Sequence, residues 1–365
     1  MMQALSSRFH CGNGEFSKRC VQFMKEKYGF GEVFLTPSCT HAMEMGTMLA
    51  DIDPGDEVIL PSYTFSSTAN AVVRQGGRPV FCEIETKTMN IDVKQLPRLI
   101  TKRTKMIIPI DYAGIPCDID RIMPIARKHN LVVMVDAAQS MHSFYKDKPA
   151  ALLPDMAAFS FHETKNTSCG EGGALVVNKK EWITRANFLQ EKGTDRKLVL
   201  DGVKSKYHWV DVGSSFLLSD ILSALLLAQL QLVEKIVKKR AKITNEYKKL
   251  FTPYEDSGFL QIPHPPPYVI INHHAFFVIF DTPKHRQQFL VYLRVKNVHA
   301  YIGYVPLHSS PMGRKFGYKP DDLAMTEDIA SRIVRLPFYT DLAERGLGYC
   351  ISSMRSALVS LYGKN

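Results

Sequence analysis

The sequence predicts an α/β protein, in which a large and mostly parallel sheet covered by helices is followed by a smaller α+β unit. Short apolar runs rich in β-branched residues alternate with stretches of helical periodicity through the first two thirds of the chain. Polar residues that can do chemistry follow the ends of several runs, and the regular alternation stops near residue 250. We therefore predict a large domain over residues 1–235 and a small C-terminal domain over residues 236–365.

The composition is that of an ordinary globular protein. The chain has 365 residues, of which 45% are hydrophobic and 22% are charged, so it can build a substantial core. The formal charge is +10, and part of the excess lies in residues 235–249, where helical spacing favours a solvated face. No basic motif interleaved with aromatic residues is present, which argues against nucleic-acid binding. The positive balance suits a small anionic substrate such as a nucleotide diphosphate.

The cysteines and the apolar segments indicate the compartment. Seven scattered cysteines without a CxxC pair argue against a disulfide framework and against a zinc site. The N-terminus lacks an apolar segment of signal-peptide length. The most apolar stretch, residues 216–233, is interrupted by polar residues and therefore predicts a buried helix instead of a membrane span. We expect a soluble, cytoplasmic protein that binds no metal ion and no membrane.

The first elements of the predicted sheet form a candidate anion site. A helix over residues 17–27 precedes a strand over 33–35, and the polar segment 36–40 leads into the next helix. Backbone N–H groups and the helix dipole at such a start can bind an anion. An ordinary N-cap by Ser38 or Thr40 explains the same residues equally well.

Further strands bring polar and aromatic residues to the same edge of the sheet. The next predicted strands cover residues 57–60, 78–83, 105–110 and 131–135, with helices over 93–100 and 119–129. Phe65 lies just beyond the first of these strands and could stack on a flat cofactor ring, although a core position is the commoner explanation. Asp136 ends the last of them, at the edge where open α/β sheets bind ligands.

The remaining elements begin with a lysine between two strands. A strand over residues 156–161 leads into a polar loop that carries Lys165, and a strand over 174–177 follows. The other predicted elements are a helix over 180–191, a polar loop over 192–211, one long helix over 219–249, a stiff connector over 263–267, a strand over 274–280, and helices over 284–295 and 330–336. His308 falls in a loop, where an isolated histidine is more often structural than functional.

Lys165 and Asp136 together point to pyridoxal 5'-phosphate (PLP) as a cofactor. A lysine between buried strands is costly to keep charged, and a lysine that loses its proton readily can form a Schiff base with an aldehyde. The ordinary place for a lysine is a surface loop, but Asp136 supplies the second group that PLP needs. Its carboxylate can keep a pyridine nitrogen protonated, so that the ring acts as an electron sink.

Other residues at this edge fit the remaining parts of PLP. Gln139 can form a hydrogen bond with the ring hydroxyl oxygen, while Ser160, Thr40 and the amides of Cys39 and Thr40 can bind the phosphate. Lys165 would also move a proton between the substrate carbon and the cofactor as a general base and acid. The sequence therefore predicts a site for transamination.

With these residues in place, the chain resembles the DegT/DnrJ/EryC1/StrS family of sugar aminotransferases. The segments that carry the resemblance are TPSCT (36–40), DIDPGDEVILPSYTFSSTAN (51–70), YAGIPCDID (112–120), VDAAQ (135–139), FSFHETKN (159–166), GEGGA (170–174), DVGSSFLLSD (211–220) and YVPLH (304–308). The resemblance implies the PLP-dependent transferase fold of type I, which is like that of aspartate aminotransferase. Residues 1–235 would then form the PLP-binding domain.

The resemblance also implies roles for individual residues. Lys165 would hold the cofactor, Phe65 would stack on its ring, and Asp136, Gln139, Thr40 and Ser160 would have the roles given above. Members of this family are homodimers with shared active sites. Ser215, where many relatives carry asparagine, would reach the cofactor phosphate of the partner subunit, and His308 would lie near the sugar nucleotide.

Within the family, the motifs are most similar to a subgroup that makes dTDP-4-amino-4,6-dideoxygalactose. This similarity implies transfer of an amino group from L-glutamate to C4 of dTDP-4-dehydro-6-deoxy-D-glucose. The same reaction with the gluco epimer as product stays open, as does a non-catalytic PLP-binding relative, because family members have a longer N-terminal segment. A PLP-dependent sugar dehydratase would carry histidine in place of Lys165, which argues against that activity.

Overall fold

A computed structural model of the protein describes residues 1–363, and its first half is built on one large sheet. The strands of this half are β1 (Glu32–Thr36), β2 (Glu57–Pro61), β3 (Arg78–Cys82), β4 (Thr104–Ile107), β5 (Val132–Asp136), β6 (Phe144–Tyr145), β7 (Lys148–Pro149), β8 (Met156–Ser160) and β9 (Gly173–Val177). Seven of them form the sheet, in the order β1-β9-β8-β5-β4-β2-β3. Only β9 runs antiparallel to its neighbours β1 and β8. The predicted mostly parallel sheet is confirmed.

The central strands are buried on both faces, which explains their continuous apolar sequences. All five residues of β2, of β8 and of β9 are buried. In the register of β5 with β8, Asp136 pairs with Ala158, so that Asp136 and Ser160 both lie at the carboxyl ends of parallel strands. The sheet therefore brings these two polar residues to one edge.

Helices cover both faces of the sheet. The helices of the first half and of the connection to the second are α1 (Met2–Ser6), α2 (Glu15–Tyr28), α3 (Cys39–Leu49), α4 (Ser66–Val73), α5 (Leu96–Leu99), α6 (Ile119–Lys128), α7 (Ile183–Gln190), α8 (Arg196–Leu200), α9 (Asp220–Gln231) and α10 (Val233–Glu255). Short 3₁₀ turns lie at Val93–Gln95, Tyr112–Gly114, Ala150–Leu152 and Lys180–Trp182. The helix predicted over residues 93–100 is thus a 3₁₀ turn followed by the short α5.

The prediction of one long helix over residues 219–249 is wrong. Leu232 has non-helical dihedral angles (φ −98°, ψ 2°), and it separates α9 from α10. The two helices are buried in different cores, because α9 packs against α2 and α10 packs in the second half of the chain. The Asp220 carboxylate fixes the start of α9 by accepting hydrogen bonds from the Ser17 amide (2.7 Å) and hydroxyl (2.8 Å). A straight helix could not satisfy both packing directions.

The second half of the chain is a smaller α+β unit, as predicted. Its strands and helices are β10 (Leu260–Gln261), β11 (Val269–Ile270), β12 (Phe277–Phe280), α11 (Pro283–Val295), α12 (Pro311–Lys315), α13 (Ala324–Arg332), β13 (Ile333–Arg335) and α14 (Leu347–Tyr362). Two 3₁₀ turns lie at Pro320–Leu323 and Thr340–Ala343. Strands β10, β12 and β13 form an antiparallel sheet, and β11 joins β6 and β7 in a second small sheet.

The helix predicted over residues 330–336 is wrong at its C-terminal end. Helix α13 ends at Arg332, and the next three residues form β13, in which Arg335 pairs with Phe277. The β-branched Ile333 and Val334 are fully buried in this strand, where such side chains pack well. Helical periodicity in a short apolar run could not distinguish the two structures.

A small core joins the two halves. It consists of nine buried residues, five from the first half and four from the second, and we call it the junction core: Tyr63, Ile84, Met89, Tyr112, Ala113, Phe277, Ile279, Ile329 and Ile333. The predicted domain boundary at residue 235 falls in the first turn of α10, and the division into two domains stays a proposal. Among residues 1–363, no helix is long and apolar enough to cross a membrane.

Candidate active site

A cavity of about 1030 Å³ lies at the carboxyl edge of the large sheet, and both halves of the chain line it. Seven of the residues predicted from the sequence lie in its wall: Cys39, Thr40, Phe65, Asp136, Gln139, Ser160 and Lys165. The second half contributes, among others, His299, Tyr304 and Arg335. The expected gathering of these side chains at one edge is therefore what the structure shows.

Lys165 is half-buried in the loop between β8 and β9. Its amide donates a hydrogen bond to the His162 carbonyl at 2.9 Å, which fixes the turn that presents the side chain. Burial lowers the pKa of the ammonium group, and the charge of Arg335 lowers it further, while Cys39 and Asp136 oppose the shift. A lysine in these surroundings gives up its proton more readily than an exposed one, as a nucleophilic amine must.

Asp136 is buried, with 5% of its surface exposed, at the end of β5. Its Oδ2 accepts a hydrogen bond from the Thr68 hydroxyl at 2.8 Å, and its Oδ1 accepts one from the Ala138 amide at 3.2 Å. Burial raises the pKa of the carboxyl group, although both hydrogen bonds and Lys165 counteract this. A cation bound beside the carboxylate would therefore be stabilised strongly.

The start of α3 provides donors for an anion. Ser38 is the N-cap, and its Oγ accepts a hydrogen bond from the His41 amide at 3.2 Å. Cys39 and Thr40 are the first two residues of α3, so their amides have no acceptor within the helix. The Thr40 hydroxyl lies 2.7 Å from that of Ser67 in α4, and both residues line the cavity with Ser160. These groups form a cradle suited to a phosphate.

Gly173 allows the cradle to form. In the sheet it pairs with Thr36 of β1 on one side and with Ser160 of β8 on the other. A Cβ atom added to this glycine would lie 2.3 Å from the Ser38 carbonyl carbon and 2.4 Å from the Cys39 nitrogen. Only glycine lets the backbone at the start of α3 approach β9 this closely.

Phe65 lies at the mouth of the cavity. It precedes α4, its side chain is 59% exposed, and its ring centroid is 6.3 Å from that of Tyr304. The ring is therefore accessible to a bound molecule, as a stacking role requires.

Two predicted residues do not line the cavity. Ser215 lies in an exposed loop that pairs with Glu191, so the predicted contact with a partner subunit stays a prediction. His308 has no exposed surface. Its ring is held between the Ser62 hydroxyl (2.7 Å) and the Pro320 carbonyl (3.1 Å), and these bonds tie the loop after Tyr304 to the end of β2. This arrangement is that of a structural histidine, and the predicted place of His308 near the sugar nucleotide stays a prediction.

Several lining residues were not singled out from the sequence. Ser67 lines the cavity, and Thr68 lies behind it and donates to Asp136; both stand inside the segment 51–70, whose resemblance could have identified them. Arg335 was missed because its strand was predicted as a helix. His274 is buried, and its Nδ1 lies 3.1 Å from the Asn166 Oδ1, next to Lys165 in the chain. Burial and the neighbouring charges of Lys165, Arg240 and Arg335 hold the pKa of His274 well below its usual range.

The residues present fit PLP. The cavity offers an amine for the aldehyde, a buried carboxylate for the pyridine nitrogen, and a hydroxyl- and amide-lined cradle for the phosphate, each from a different element. Among residues 1–363, the one cation that offsets the charge of the buried Asp136 is the Lys165 amine, whose own charge is opposed by burial. Among residues 1–363, no group of three or more histidine, cysteine or acidic side chains could hold a metal ion.

Comparisons with known proteins agree with this geometry. The sequence profile of the DegT/DnrJ/EryC1/StrS aminotransferase family matches residues 2–355. The chain is 29% identical to a GDP-perosamine synthase of Caulobacter vibrioides, over 88% of this chain and 84% of that protein. It is 28% identical to the dTDP-4-dehydro-2,3,6-trideoxy-D-glucose 4-aminotransferase of Saccharopolyspora spinosa, over 85% of this chain and 80% of that protein.

The structural comparison confirms the fold. The PLP form of Spr1654 from Streptococcus pneumoniae superposes with a TM-score of 0.88 at 22% sequence identity, covering 98% of this chain and 94% of that one. Together with the family profile, this likeness confirms the type I fold of PLP-dependent transferases that the resemblance implied.

Proposed function

Because the chain belongs to the DegT/DnrJ/EryC1/StrS aminotransferase family, we propose that it transfers the amino group of L-glutamate to C4 of a nucleotide-linked 4-keto-6-deoxy sugar. We propose dTDP-4-dehydro-6-deoxy-D-glucose as the acceptor and dTDP-4-amino-4,6-dideoxygalactose as the product. The class of the enzyme, a PLP-dependent aminotransferase of nucleotide sugars, follows from the family. The donor, the carrier nucleotide and the sugar are the parts that need an experiment.

The proposal rests on the cavity that joins Lys165, Asp136 and the cradle at the start of α3. When bound, PLP supplies an electron sink for the charge left when a bond at the substrate carbon is broken. We assign Asp136 to hold a proton on the ring nitrogen, Gln139 to contact the ring hydroxyl oxygen, and Cys39, Thr40 and Ser160 to bind the phosphate. Phe65 would pack against the ring.

Lys165 has two tasks in this assignment. Its Nζ would hold the cofactor, and it would then accept and return the proton at the substrate carbon, as a general base and acid. Burial favours the neutral amine, which is the form able to accept that proton. The neighbouring His274 is also held neutral, so it adds no positive charge beside Lys165.

The cavity-lining residues from the second half of the chain suit anionic substrates. Arg335, Arg240 and His299 contribute to the wall, and L-glutamate and a nucleotide diphosphate are both anions. The two relatives differ in the carrier nucleotide, since one is named for a GDP-sugar and the other for a dTDP-sugar. The motifs quoted above favour dTDP.

We also propose a homodimer with shared active sites, located in the cytoplasm. Six large apolar side chains between residues 200 and 212 are exposed in the single chain, and they precede Ser215. A surface of this kind is typical of a protein interface. In the dimer, Ser215 would contact the cofactor phosphate of the partner subunit.

Two half-reactions measured separately test the proposal. The purified protein loaded with PLP should convert L-glutamate to 2-oxoglutarate in an amount equal to the bound cofactor, with loss of the visible absorption band of the bound cofactor. Addition of dTDP-4-dehydro-6-deoxy-D-glucose should restore the band and yield the amino sugar. Lys165→Ala should lower both rates by at least about 10²–10⁴-fold, the usual effect of removing a positioned acid–base group.

Controls distinguish the alternatives. Lys87→Ala removes an exposed lysine that does not line the cavity and should leave both rates unchanged. A protein that binds PLP but releases no 2-oxoglutarate would be the non-catalytic relative. Turnover with a GDP- or UDP-linked keto sugar but not with the dTDP-sugar would refute the proposed carrier, and the proton NMR coupling constants at C4 of the product would separate the galacto from the gluco epimer.

A further inference from the structure

A chain of hydrogen bonds runs from the backbone at Ala113 to the hydroxyl of Tyr304 in the cavity wall. The Ala113 amide donates to Gln139 Oε1 at 2.8 Å, and Gln139 Nε2 donates to the Tyr304 hydroxyl at 3.2 Å. Gln139 belongs to the first half of the chain and Tyr304 to the second, so the bonds cross between them.

The direction of the bonds along this chain is fixed by chemistry. A backbone N–H can only donate, so the carboxamide oxygen of Gln139 must face Ala113. The NH₂ group then faces Tyr304, and it can only donate as well. The usual uncertainty over which end of a glutamine side chain carries the nitrogen does not arise here.

Tyr304 therefore accepts at its oxygen and keeps its own proton free. The Arg335 guanidinium lies near the Tyr304 hydroxyl and carries only donors, so it cannot accept the phenol proton. Burial raises the pKa of Tyr304 to about 12, so the phenol stays protonated at neutral pH. Within residues 1–363, no acceptor for this proton lies at hydrogen-bonding distance. Gln139 donates to the oxygen and Arg335 cannot accept the proton, so the proton is left for a molecule in the cavity.

The backbone holds Tyr304 in place. Its amide donates to the Tyr63 hydroxyl at 3.1 Å, and Tyr63 is fully buried in the junction core. A Cβ atom at the preceding Gly303 would lie 1.6 Å from that hydroxyl, so only glycine lets the loop approach Tyr63. The Tyr304 ring also packs against the rings of Tyr63 and Tyr112, with centroids 5.7 and 6.2 Å away. The hydroxyl has little freedom to turn away.

The Ala113 amide, which donates to Gln139, belongs to a residue held in an unfavourable backbone conformation. Ala113 has φ 56° and ψ 15°, the left-handed region, which costs a residue with a Cβ atom about 1–2 kcal/mol. The Tyr112 amide donates to the Asn90 Oδ1 at 2.9 Å and thereby fixes the entry to this turn. Strain of this kind persists where the surrounding structure demands it, here to aim one N–H group at Gln139.

We propose that Tyr304 is a hydrogen-bond donor to an anionic oxygen of the bound reactants, kept in the donor state by Gln139 and Arg335. The anionic oxygen is either the ionised ring oxygen of the cofactor or a carboxylate of the amino donor. This inference rests on the proposed function, because both molecules belong to it. A donor fixed in advance stabilises an anion without reorganisation when the anion arrives.

The test uses Tyr304→Phe, which keeps the ring packing and the backbone hydrogen bond to Tyr63. Tyr349→Phe is the matched control, since it removes a hydroxyl that donates to the Lys296 carbonyl at 2.9 Å outside the cavity. Thermal melting establishes that both variants are folded. The first readout is the pH midpoint at which the visible band of bound PLP changes. The second is the L-glutamate concentration for half-maximal rate of the first half-reaction.

The two readouts separate the two acceptors. If the ring oxygen is the acceptor, the pH midpoint of Tyr304→Phe should rise by about one to two units, as expected for a lost hydrogen bond to a charged group. If a carboxylate of the donor is the acceptor, the midpoint stays and the half-saturating L-glutamate concentration rises by about 10- to 100-fold.

The inference is overturned if Tyr304→Phe matches the wild type and Tyr349→Phe in both readouts, because a merely structural hydroxyl moves neither. A wild-type protein that binds no PLP would overturn the proposed function and this inference together. A wild-type protein that binds PLP but does not turn over L-glutamate would refute only the proposed reaction, and the pH midpoint would still decide the role of Tyr304.

Discussion

Asp136 is a carboxylate in surroundings that oppose its charge. Burial raises its pKa above the ordinary value of 3.8, so the folded protein binds this proton more tightly than the unfolded chain does. The ionised group therefore reduces the stability of the cofactor-free protein as the pH rises above 3.8, and the penalty is complete once the pH exceeds the raised pKa. A protonated ring nitrogen beside Asp136 would remove that penalty, which couples stability to cofactor binding.

Asp136→Asn should separate these two effects. At pH 7 the free energy of unfolding of the cofactor-free variant should exceed that of the wild type, and the difference should shrink as the pH falls toward 3.8. PLP binding should weaken by about 2–5 kcal/mol, the cost of removing one partner of a buried charge pair. Denaturant unfolding without PLP and fluorescence titration with PLP measure the two quantities.

The control for this prediction is Asp111→Asn. Asp111 is also a buried carboxylate, its pKa is raised to about 6 by burial, and its Oδ2 accepts a hydrogen bond from Ser140 at 2.7 Å. It does not line the cavity. Its replacement should change stability in the same direction and leave PLP affinity unchanged, whereas equal loss of PLP affinity in both variants would contradict the assignment of Asp136.

At the scale of single elements, the contact between β9 and the start of α3 controls the phosphate cradle. Gly173→Ala would place a Cβ atom within 2.5 Å of three backbone atoms of Ser38 and Cys39, and backbone cannot move aside as a flexible side chain can. We expect a loss of about 1–3 kcal/mol in the free energy of unfolding, the usual cost of overpacking. Affinity for PLP should fall more than affinity for pyridoxal, which lacks the phosphate.

Gly348→Ala in α14 is the control for this substitution. A Cβ atom there meets no atom within 4 Å, and alanine is the better helix former, so stability should stay or rise by up to about 1 kcal/mol. Thermal unfolding and the ratio of the PLP and pyridoxal dissociation constants check both variants. An unchanged ratio in Gly173→Ala would show that the cradle does not bind the phosphate.

Elements that alternate regularly were predictable from the sequence, and elements that depend on distant partners were not. The strands of the large sheet follow from short apolar runs, and the place of Asp136 and Lys165 at one edge was predictable because each follows the end of such a run. The break at Leu232 was missed because α9 and α10 share one apolar pattern but pack in different cores. Thr68 was not singled out because its bond to Asp136 joins residues far apart in sequence.

At the scale of the whole molecule, exposed apolar surface suggests where a second copy binds. The six apolar residues in question are Leu200, Val203, Tyr207, Trp209, Val210 and Val212, and Trp209 is 79% exposed. Trp209→Ser should weaken the proposed dimer by at least about 2 kcal/mol if this tryptophan lies at the centre of the interface. Sedimentation velocity over a concentration series measures the dissociation constant.

Val295→Ser is the control for the dimer. Val295 is equally exposed, at 79%, but lies on α11 in the second half of the chain. Its replacement should leave the dissociation constant unchanged. If Trp209→Ser dissociates the dimer, the rate per subunit should fall with it on dilution, since each site would lose the contact from Ser215 of the partner. A monomer that keeps full activity would contradict shared active sites.

The junction core has a consequence for how the protein recognises its ligands. Its nine buried residues include the packed rings of Tyr63, Tyr112 and Phe277, which come from both halves of the chain. A hinge motion that parted the halves would expose these rings to water, at a cost of about 25 cal/mol for each Å² of apolar surface. We therefore expect the binding cavity to be fully formed before a ligand enters it. The protein would then select among sugars that differ in one stereocentre by the fit of each sugar to a cavity whose shape is set when the chain folds.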